Sequence, residues 1–168
     1  MGTFMLKNKS GDASISPMHH SGVPGVSLNW PCELILKDDS EMLEIRPKMS
    51  KKESIFLPLE RIVAIAEVAE KEIVEKSKSV LGRAFVGGIL LGPVGAIVGG
   101  TSGVGKKEKA KYSILLVINY KSKSSDEVEA VVFDTRGLLN VKKFIELVKG
   151  RSINIAQPQL QSNEPIIL

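Results

Sequence analysis

The stretch Ile55-Phe56-Leu57-Pro58-Leu59-Glu60-Arg61-Ile62-Val63-Ala64-Ile65 decides the fold of this 168-residue chain. Its first half predicts a short strand that ends near Pro58, because proline cannot donate to a sheet ladder. Its second half begins an ambiguous segment, residues 60–76, whose apolar spacing and Glu–Lys pairs also fit one face of a helix. Since the β-branched run Ile62 to Ile65 suits a buried strand, we expect a strand over 61–68.

Alternating apolar residues on both sides of this stretch predict further strands. Residues 32–46 form a hairpin around the turn Asp38-Asp39-Ser40, and residues 112–120 and 128–133 form two later strands. A final helix is expected, with Asp134 or Thr135 as its N-cap and Gly150 at its C-cap. Its apolar stripe comprises Leu138, Val141, Phe144, Ile145 and Val148.

This order of elements, together with residues 55–65, resembles the pleckstrin-homology-like (PH-like) and GRAM-type domains of bacteria. The resemblance implies an α+β fold, in which a partly open antiparallel β-barrel is capped by a C-terminal helix and carries a long glycine-rich hairpin insertion. It divides the chain into an irregular N-terminal arm (1–31), the PH-like domain (32–152) with an insertion at about 77–110, and a flexible tail (153–168). The segment Leu81 to Gly100 resembles the glycine zipper found within some such proteins.

The glycine-rich segment, residues 82–105, holds nine of the fifteen glycines, and no charged residue occurs from Ala84 to Gly105. Its glycines repeat at intervals of four, which lets two backbones approach closely when the segment is helical. Gly92-Pro93 near its centre predicts a break, so that one spanning helix is disfavoured and a folded-back hairpin is expected. The residues expected to mediate membrane contact or self-association are Gly88, Gly92, Pro93, Gly95, Gly99 and Gly103.

Basic side chains flank this segment and account for the charge of the chain. Residues 81–111 carry five basic side chains and one acidic side chain, a net of +4 that equals the formal charge of the whole protein. Positive charge that frames an apolar run favours an anionic membrane surface, whereas nucleic-acid binding would need a broader basic face. The basic flank comprises Arg83, Lys106, Lys107, Lys109 and Lys111.

Several chemical signals in the sequence do not add up to a catalytic site. The run Gly100 to Lys107 nearly matches a phosphate-binding loop, but Lys107 stands where a Ser or Thr must coordinate magnesium. The adjacent histidines His19 and His20 lack the further ligands of a metal site and are interpreted as part of a polar loop. Cys32, which has no second cysteine to pair with, is interpreted as a small packed residue.

The sequence therefore predicts a non-enzymatic binding or scaffold module without catalytic residues, metal or cofactor. Its glycine-zipper hairpin is expected to mediate membrane association or self-association. The alternative is a soluble oligomeric protein-binding module in which the hairpin is a packing element. We expect a cytoplasmic protein that can associate with a membrane, with a membrane surface, a second copy or another protein as partner, and with neither nucleic acid nor a small-molecule substrate.

Overall fold

The computed structural model describes residues 11–48, 51, 53–70, 113–125 and 127–155, together with the backbone of 85–86 and 89–90. Ten strands, one 3₁₀ turn at Leu59–Arg61 and one helix lie in these ranges. The elements in chain order are β1 (Ala13–Ile15), β2 (Met18–Ser21), β3 (Cys32–Leu36), β4 (Met42–Pro47), β5 (Ile55–Pro58), β6 (Ile62–Ala69), β7 (Phe85–Val86), β8 (Ile89–Leu90), β9 (Ile114–Lys121), β10 (Val128–Asp134) and α1 (Val141–Arg151).

Eight of the strands form two antiparallel sheets. Sheet A has the order β1-β3-β4-β5, and sheet B has the order β2-β10-β9-β6. Hydrogen-bonded neighbours such as β3 and β4 are also consecutive in the chain, as the predicted hairpin required. Over the described residues the two sheets remain separate, so the barrel is not closed.

The N-terminal part of the chain differs from the irregular arm expected over 1–31. Ala13–Ile15 pairs with β3 at the edge of sheet A, and Met18–Ser21 pairs with β10 at the edge of sheet B. The two-residue link Ser16-Pro17 thus carries the chain from one sheet to the other. The sequence pattern missed these strands because each is only three or four residues long, too short to establish an alternation.

The described part of the ambiguous segment is a strand from Ile62 to Ala69, close to the predicted 61–68, and residues 71–76 lie outside the described residues. β6 runs from Ile62 to Ala69 and pairs with β9 along its length, with an irregularity in register between Ile62 and Ala64. Ile62 and Ile65 are fully buried in the core between the sheets. Tertiary packing therefore decides the conformation over Ile62–Ala69.

The single helix of the described part, α1, packs against β1 and β6, one edge strand from each sheet. Val141, Phe144, Ile145 and Val148 are buried there, which confirms most of the predicted apolar stripe. Leu138 also reaches the core, but from the turn that precedes the helix. The helix closes one opening between the two sheets.

Both predicted caps of this helix are wrong. The N-cap is Asn140, in the left-handed region with φ of 63°, and the helix continues through Gly150 to Arg151. Asp134 and Thr135 are occupied elsewhere, since Asp134 ends β10 and Thr135 hydrogen-bonds to neighbouring strands. The same side chain can cap the helix or make such tertiary contacts, and the local sequence does not indicate which of the two it makes.

Only a small part of the predicted glycine-rich hairpin falls on described residues. β7 and β8 pair antiparallel, with Phe85 opposite Leu90 and Val86 opposite Ile89. The Gly92-Pro93 break, the remainder of the insertion expected at about 77–110, and the tail from residue 156 onward lie outside the described residues.

Candidate functional site at the root of the insertion

The insertion emerges from one end of sheet B, where β6 ends and β9 begins. Ala69 is paired with Ile114, and the backbone N–H of Glu70 donates to the Ser113 carbonyl at 2.9 Å. The Ser113 N–H in turn donates to the Glu70 carboxylate, at 3.3 Å to Oε2. The chain therefore leaves the sheet at residue 70 and returns at a neighbouring position, residue 113. We call this end of sheet B the insertion root.

Thr135 ties a third strand into the insertion root. Its backbone N–H donates to the Ile114 carbonyl at 2.9 Å. Its buried hydroxyl lies 2.8 Å from Glu67 Oε1 and 3.1 Å from the same Ile114 carbonyl. With one hydroxyl proton to give, Thr135 donates best to the carboxylate, because charge-assisted hydrogen bonds are the stronger ones. β6, β9 and the end of β10 are thereby held together where the insertion begins.

Charged side chains surround this root on the neighbouring strands. Arg136 pairs with Asp134 through two guanidinium nitrogens, with Nη2 2.6 Å and Nε 2.8 Å from Oδ2. The hydrogen bond that Arg136 donates to Asp134 raises the pKa of Arg136 further above its ordinary value. Burial lowers the pKa of His20, although the nearby carboxylates Glu70 and Asp134 act in the opposite direction. The described part of the root is thus rich in carboxylates, each of which faces a donor.

Apolar side chains are exposed at the same end of sheet B. Met18 at the start of β2 and Ile114 at the start of β9 expose 39% and 44% of their surface. Single exposed apolar residues are common on proteins, but these two lie on strands that flank β10 at the insertion root. The root therefore combines a rigid backbone anchor with partly apolar surroundings.

The sequence profile of one protein family matches residues 31–134, more than half of the chain, and its description is "Glycine zipper containing PH domain". The chain belongs to this family. The match runs from β3 to the end of β10, so it includes both strands of the insertion root and the whole glycine-rich segment. No curated protein and no solved structure matches the chain. Domains of the PH-like class are generally non-catalytic binding modules.

In this glycine-zipper PH domain the connection between β3 and β4 is held by the C-terminal helix. Arg151 of α1 donates from Nη1 to the Lys37 carbonyl at 2.6 Å, and from Nη2 to the carbonyls of Asp38 and Ser40. Here the connection carries two aspartates, and the guanidinium contacts its backbone from the helix side, so the structure adds no basic site at this place.

The histidines set aside as a polar loop lie on β2, and one of them is structural. His19 is buried, with Nδ1 2.9 Å from the Ser27 carbonyl and Nε2 accepting from the Val23 N–H at 3.2 Å. These two contacts place the proton on Nδ1. The ring also packs edge-on against Phe133, with ring centroids 6.1 Å apart. His19 therefore holds the 22–30 loop against the core, a role that the sequence pattern did not reveal.

Cys32 is a packed core residue, as predicted. Its side chain is fully buried between the sheets, and burial raises the pKa of the thiol. A nucleophilic cysteine needs the opposite, a lowered pKa and partial exposure. Trp30, two residues before it, packs partly buried against the core.

The part of the chain that the structure describes contains no cluster of potential metal ligands, and the cleft found there is small. Within those ranges, no three His, Cys, Asp or Glu side chains converge on a possible metal position. A cleft between β1 and α1, lined by Ile15, Lys143, Phe144 and others, has a cavity volume of about 20 Å³, enough for a water molecule. In the same ranges, no helix has the length and apolarity to cross a bilayer.

The predicted site residues fall outside these described ranges. Neither the glycines and Pro93 of the proposed contact segment nor the basic flank from Arg83 to Lys111 is placed by the structure. Their roles remain predictions. What the structure adds is the insertion root. Its residues Glu67 and Ser113 carried no signal in the sequence beyond their polar character, and Thr135 was expected to cap the helix instead.

Proposed function

We propose that this glycine-zipper PH domain is a non-enzymatic binding module that brings its glycine-rich segment to an anionic membrane surface. The observation that carries the proposal is the insertion root, where both ends of the insertion are hydrogen-bonded to each other at 2.9 Å on a rigid sheet. An insertion anchored in this way is held to the barrel at two adjacent points. Whatever the segment binds is therefore linked directly to the domain.

The composition of the insertion supports a membrane surface as its partner. Its 22 uncharged residues from Ala84 to Gly105 are followed at once by Lys106, Lys107, Lys109 and Lys111. Each lysine close to an anionic leaflet contributes about 1 kcal/mol of attraction, which falls off within a Debye length. An apolar run with basic residues beside it suits the boundary between acyl chains and headgroups.

Vesicle co-sedimentation tests this function with a matched pair of variants. The first replaces the four lysines of the flank, Lys106, Lys107, Lys109 and Lys111, by glutamine. The control replaces four exposed lysines elsewhere, Lys121, Lys123, Lys142 and Lys149, so both variants lose the same net charge. We expect the flank variant to lose roughly 100-fold or more in affinity for phosphatidylserine vesicles, since each lysine contributes about 1 kcal/mol. Equal losses in the two variants would reject a specific role for the flank.

Self-association is the second candidate, and the glycine spacing favours it. Gly88–Gly92, Gly95–Gly99 and Gly99–Gly103 repeat the small-xxx-small pattern that lets two backbones approach. Light scattering after size exclusion, without vesicles, compares the full chain with Gly95→Leu/Gly99→Leu. An oligomer that dissociates in the variant supports this candidate, and a full chain that stays monomeric at every concentration removes it.

A further inference from the structure

Sheet B has a second apolar face, on the side opposite the core. The register pairs Val117 with Val132 and with Ala66, so these three side chains point to the same side. Leu116 and Phe133, which alternate with them, belong to the core between the sheets. We call the opposite side the outer face of sheet B; its buried members are Val68, Leu115, Val117, Asn119 and Val132.

The centre of this outer face is shielded from solvent, while Ala64, Ala66 and Ala130 beside it are partly exposed. Leu115, Val117 and Val132 have 0% exposure, although they are not part of the core cluster between the sheets. Sheet A and α1 pack on the inner side of sheet B and so cannot cover them. Another part of this same chain must lie over the outer face.

The backbone of β8 identifies that part. β8, Ile89–Leu90 of the glycine-rich segment, lies beside both β6 and β9. Because β9 is an interior strand, flanked by β6 and β10, an element that meets both strands does not simply extend the sheet edge. Combined with the burial of Leu115 and Val117, this position puts β8 over the outer face.

Small side chains on the outer face suit a glycine-rich cover. Ala64 and Ala66 of β6 and Ala130 of β10 flank the buried valines, as their register with Asn119 and Val117 shows. Alanines on one surface and glycines on the other let two backbones approach closely and gain dispersion contact. The composition of the insertion therefore complements the face beside which β8 lies.

We propose that the outer face of sheet B is the docking surface for the glycine-rich segment of the same chain. In the unbound protein the segment covers this face. A further consequence, which rests on the proposed function, is that a membrane must compete with the outer face for the glycine-rich segment. Membrane binding then uncovers Val117 and its neighbours.

Thiol labelling at adjacent positions of β9 tests the docking in the full chain. Val117→Cys reports on the outer face and Ile118→Cys on the core, while Ser124→Cys in the exposed β9–β10 loop sets the unprotected rate. Peptide mass spectrometry reads each site separately, so native Cys32 stays in place as a second core reference. We expect Val117→Cys to react at least about 100-fold more slowly than Ser124→Cys, because access requires local opening. Labelling of Val117→Cys at the rate of Ser124→Cys would overturn the docking.

The double substitution Ile89→Asp/Leu90→Asp tests which segment provides the cover. Two charges on β8 disfavour an apolar contact, so labelling of Val117→Cys should accelerate at least about tenfold while Ile118→Cys stays protected. If Val117→Cys remains protected, a segment other than the glycine-rich one lies on the face, and the proposal is wrong. Protection that weakens on dilution would also contradict it, because the cover would then come from a second copy.

The double variant could unfold, in which case Ile118→Cys would become reactive too. Crosslinking by incorporated photo-leucine then identifies the segment on the outer face without these substitutions. Leu115 points to the outer face and Leu116 to the core. Crosslinks from Leu115 to peptides of residues 82–105, within one chain, support the docking. Crosslinks from Leu115 only to residues 1–10 or 156–168 overturn it.

Vesicles separate this inference from the proposed function. Addition of anionic vesicles should raise the labelling rate of Val117→Cys about tenfold or more, with no change at Ile118→Cys. A chain that is protected at Val117 but does not bind vesicles supports the docking and rejects the membrane function. A chain that binds vesicles with Val117 still protected rejects the competition and keeps the membrane function.

Discussion

The outer faces of the two sheets differ in character. On sheet A three charged residues, Glu33, Glu44 and Arg46, lie on paired positions of β3 and β4 beside one buried apolar side chain, Ile35. On sheet B the corresponding positions are apolar, with Val117 and Val132 directly paired. The inner faces do not differ in this way, since both contribute aliphatic residues to one core.

This difference supports the proposal that sheet B has a second layer. A charged face keeps its side chains solvated, or pairs them when they are buried. Glu44 is buried and paired: Lys37 Nζ is 3.2 Å from one carboxylate oxygen, and Arg46 Nη2 is 2.7 Å from the other. An apolar face has no such option and must be covered. On the docking proposal above, the insertion covers the several buried apolar residues on the outer face of sheet B, whereas among the described strand residues of sheet A only Ile35 is apolar and buried on that side.

Val117→Asp is expected to have the largest effect, because it places a charge on the covered face. Val117 has no exposed surface, so the carboxylate would be buried without a donor or would displace the cover. We expect the free energy of unfolding to fall by roughly 3 kcal/mol or more. Urea unfolding monitored by circular dichroism measures the loss. The control Val117→Ala should cost less, and a loss below about 1 kcal/mol for Val117→Asp would mean that the face is solvated.

Glu44→Gln tests the self-contained network of sheet A. Ser54 Oγ donates to Glu44 Oε1 at 2.7 Å, and Arg46 donates to the same oxygen. Because Lys37 and Arg46 are themselves partly exposed, we expect the variant to lose about 1–2 kcal/mol at pH 7. Wild type and variant are compared by urea unfolding, with Glu41→Gln in the adjacent exposed turn as the control. Equal losses in both variants would contradict a specific network.

The pH dependence of this loss has a defined sign. Burial alone would raise the pKa of Glu44, but hydrogen bonds from Ser54, Arg46 and Lys37 outweigh it and hold the pKa below the ordinary value of 4.5. A carboxyl with a lowered pKa in the folded state stabilises the protein above its unfolded pKa, and the contribution disappears as the pH falls through the folded pKa. The difference between wild type and Glu44→Gln should therefore shrink from pH 7 towards pH 3. If the stability difference stayed constant with pH, the ionised form of Glu44 would not be the source of the stabilisation.

The sequence predicted the elements whose apolar pattern is long enough to read. β6, β9 and β10 each have seven or eight residues, and all three were expected close to where they occur. β1 and β2 were missed because three or four residues carry no clear period, and because their place depends on pairing with distant strands. Local pattern thus sufficed for the longer strands, including edge strand β6, and failed for the short edge strands β1 and β2.

The candidate site was predictable only in part, for a related reason. The glycine-rich segment and its basic flank stand out as composition and can be found without any structure. The insertion root depends on contacts between residues 67 and 135, or 70 and 113, which no local pattern records. Thr135 was even interpreted as a helix cap, because a Thr before an apolar stripe has the same appearance in either role.

Thr135→Val should have an intermediate effect, localised at the insertion root. The substitution keeps the shape of the side chain but removes the hydroxyl that lies 2.8 Å from Glu67 Oε1. We expect a loss of about 1 kcal/mol, the usual net contribution of one hydrogen bond. Hydrogen exchange should locate the change, with faster exchange at Glu70 and Thr135 than in β3 and β4. Thr135→Ser retains the hydroxyl and should restore most of the stability; if it does not, the methyl group and not the hydrogen bond is responsible.

Phe56→Ser is expected to have the smallest effect and gives the closest contrast with Val117. Phe56 lies on edge strand β5 opposite Glu44 and therefore points outward from sheet A, yet 52% of its surface is exposed. Removing a half-exposed ring from a face that needs no cover should change the free energy of unfolding by no more than about 0.5 kcal/mol. Val132→Ser is the matched control, since it removes an apolar side chain from the outer face of sheet B, where exposure is 0%. Urea unfolding of both variants decides the comparison. If Phe56→Ser costs as much as Val132→Ser, then sheet A also has a covered apolar surface, and the two outer faces do not differ in the way proposed.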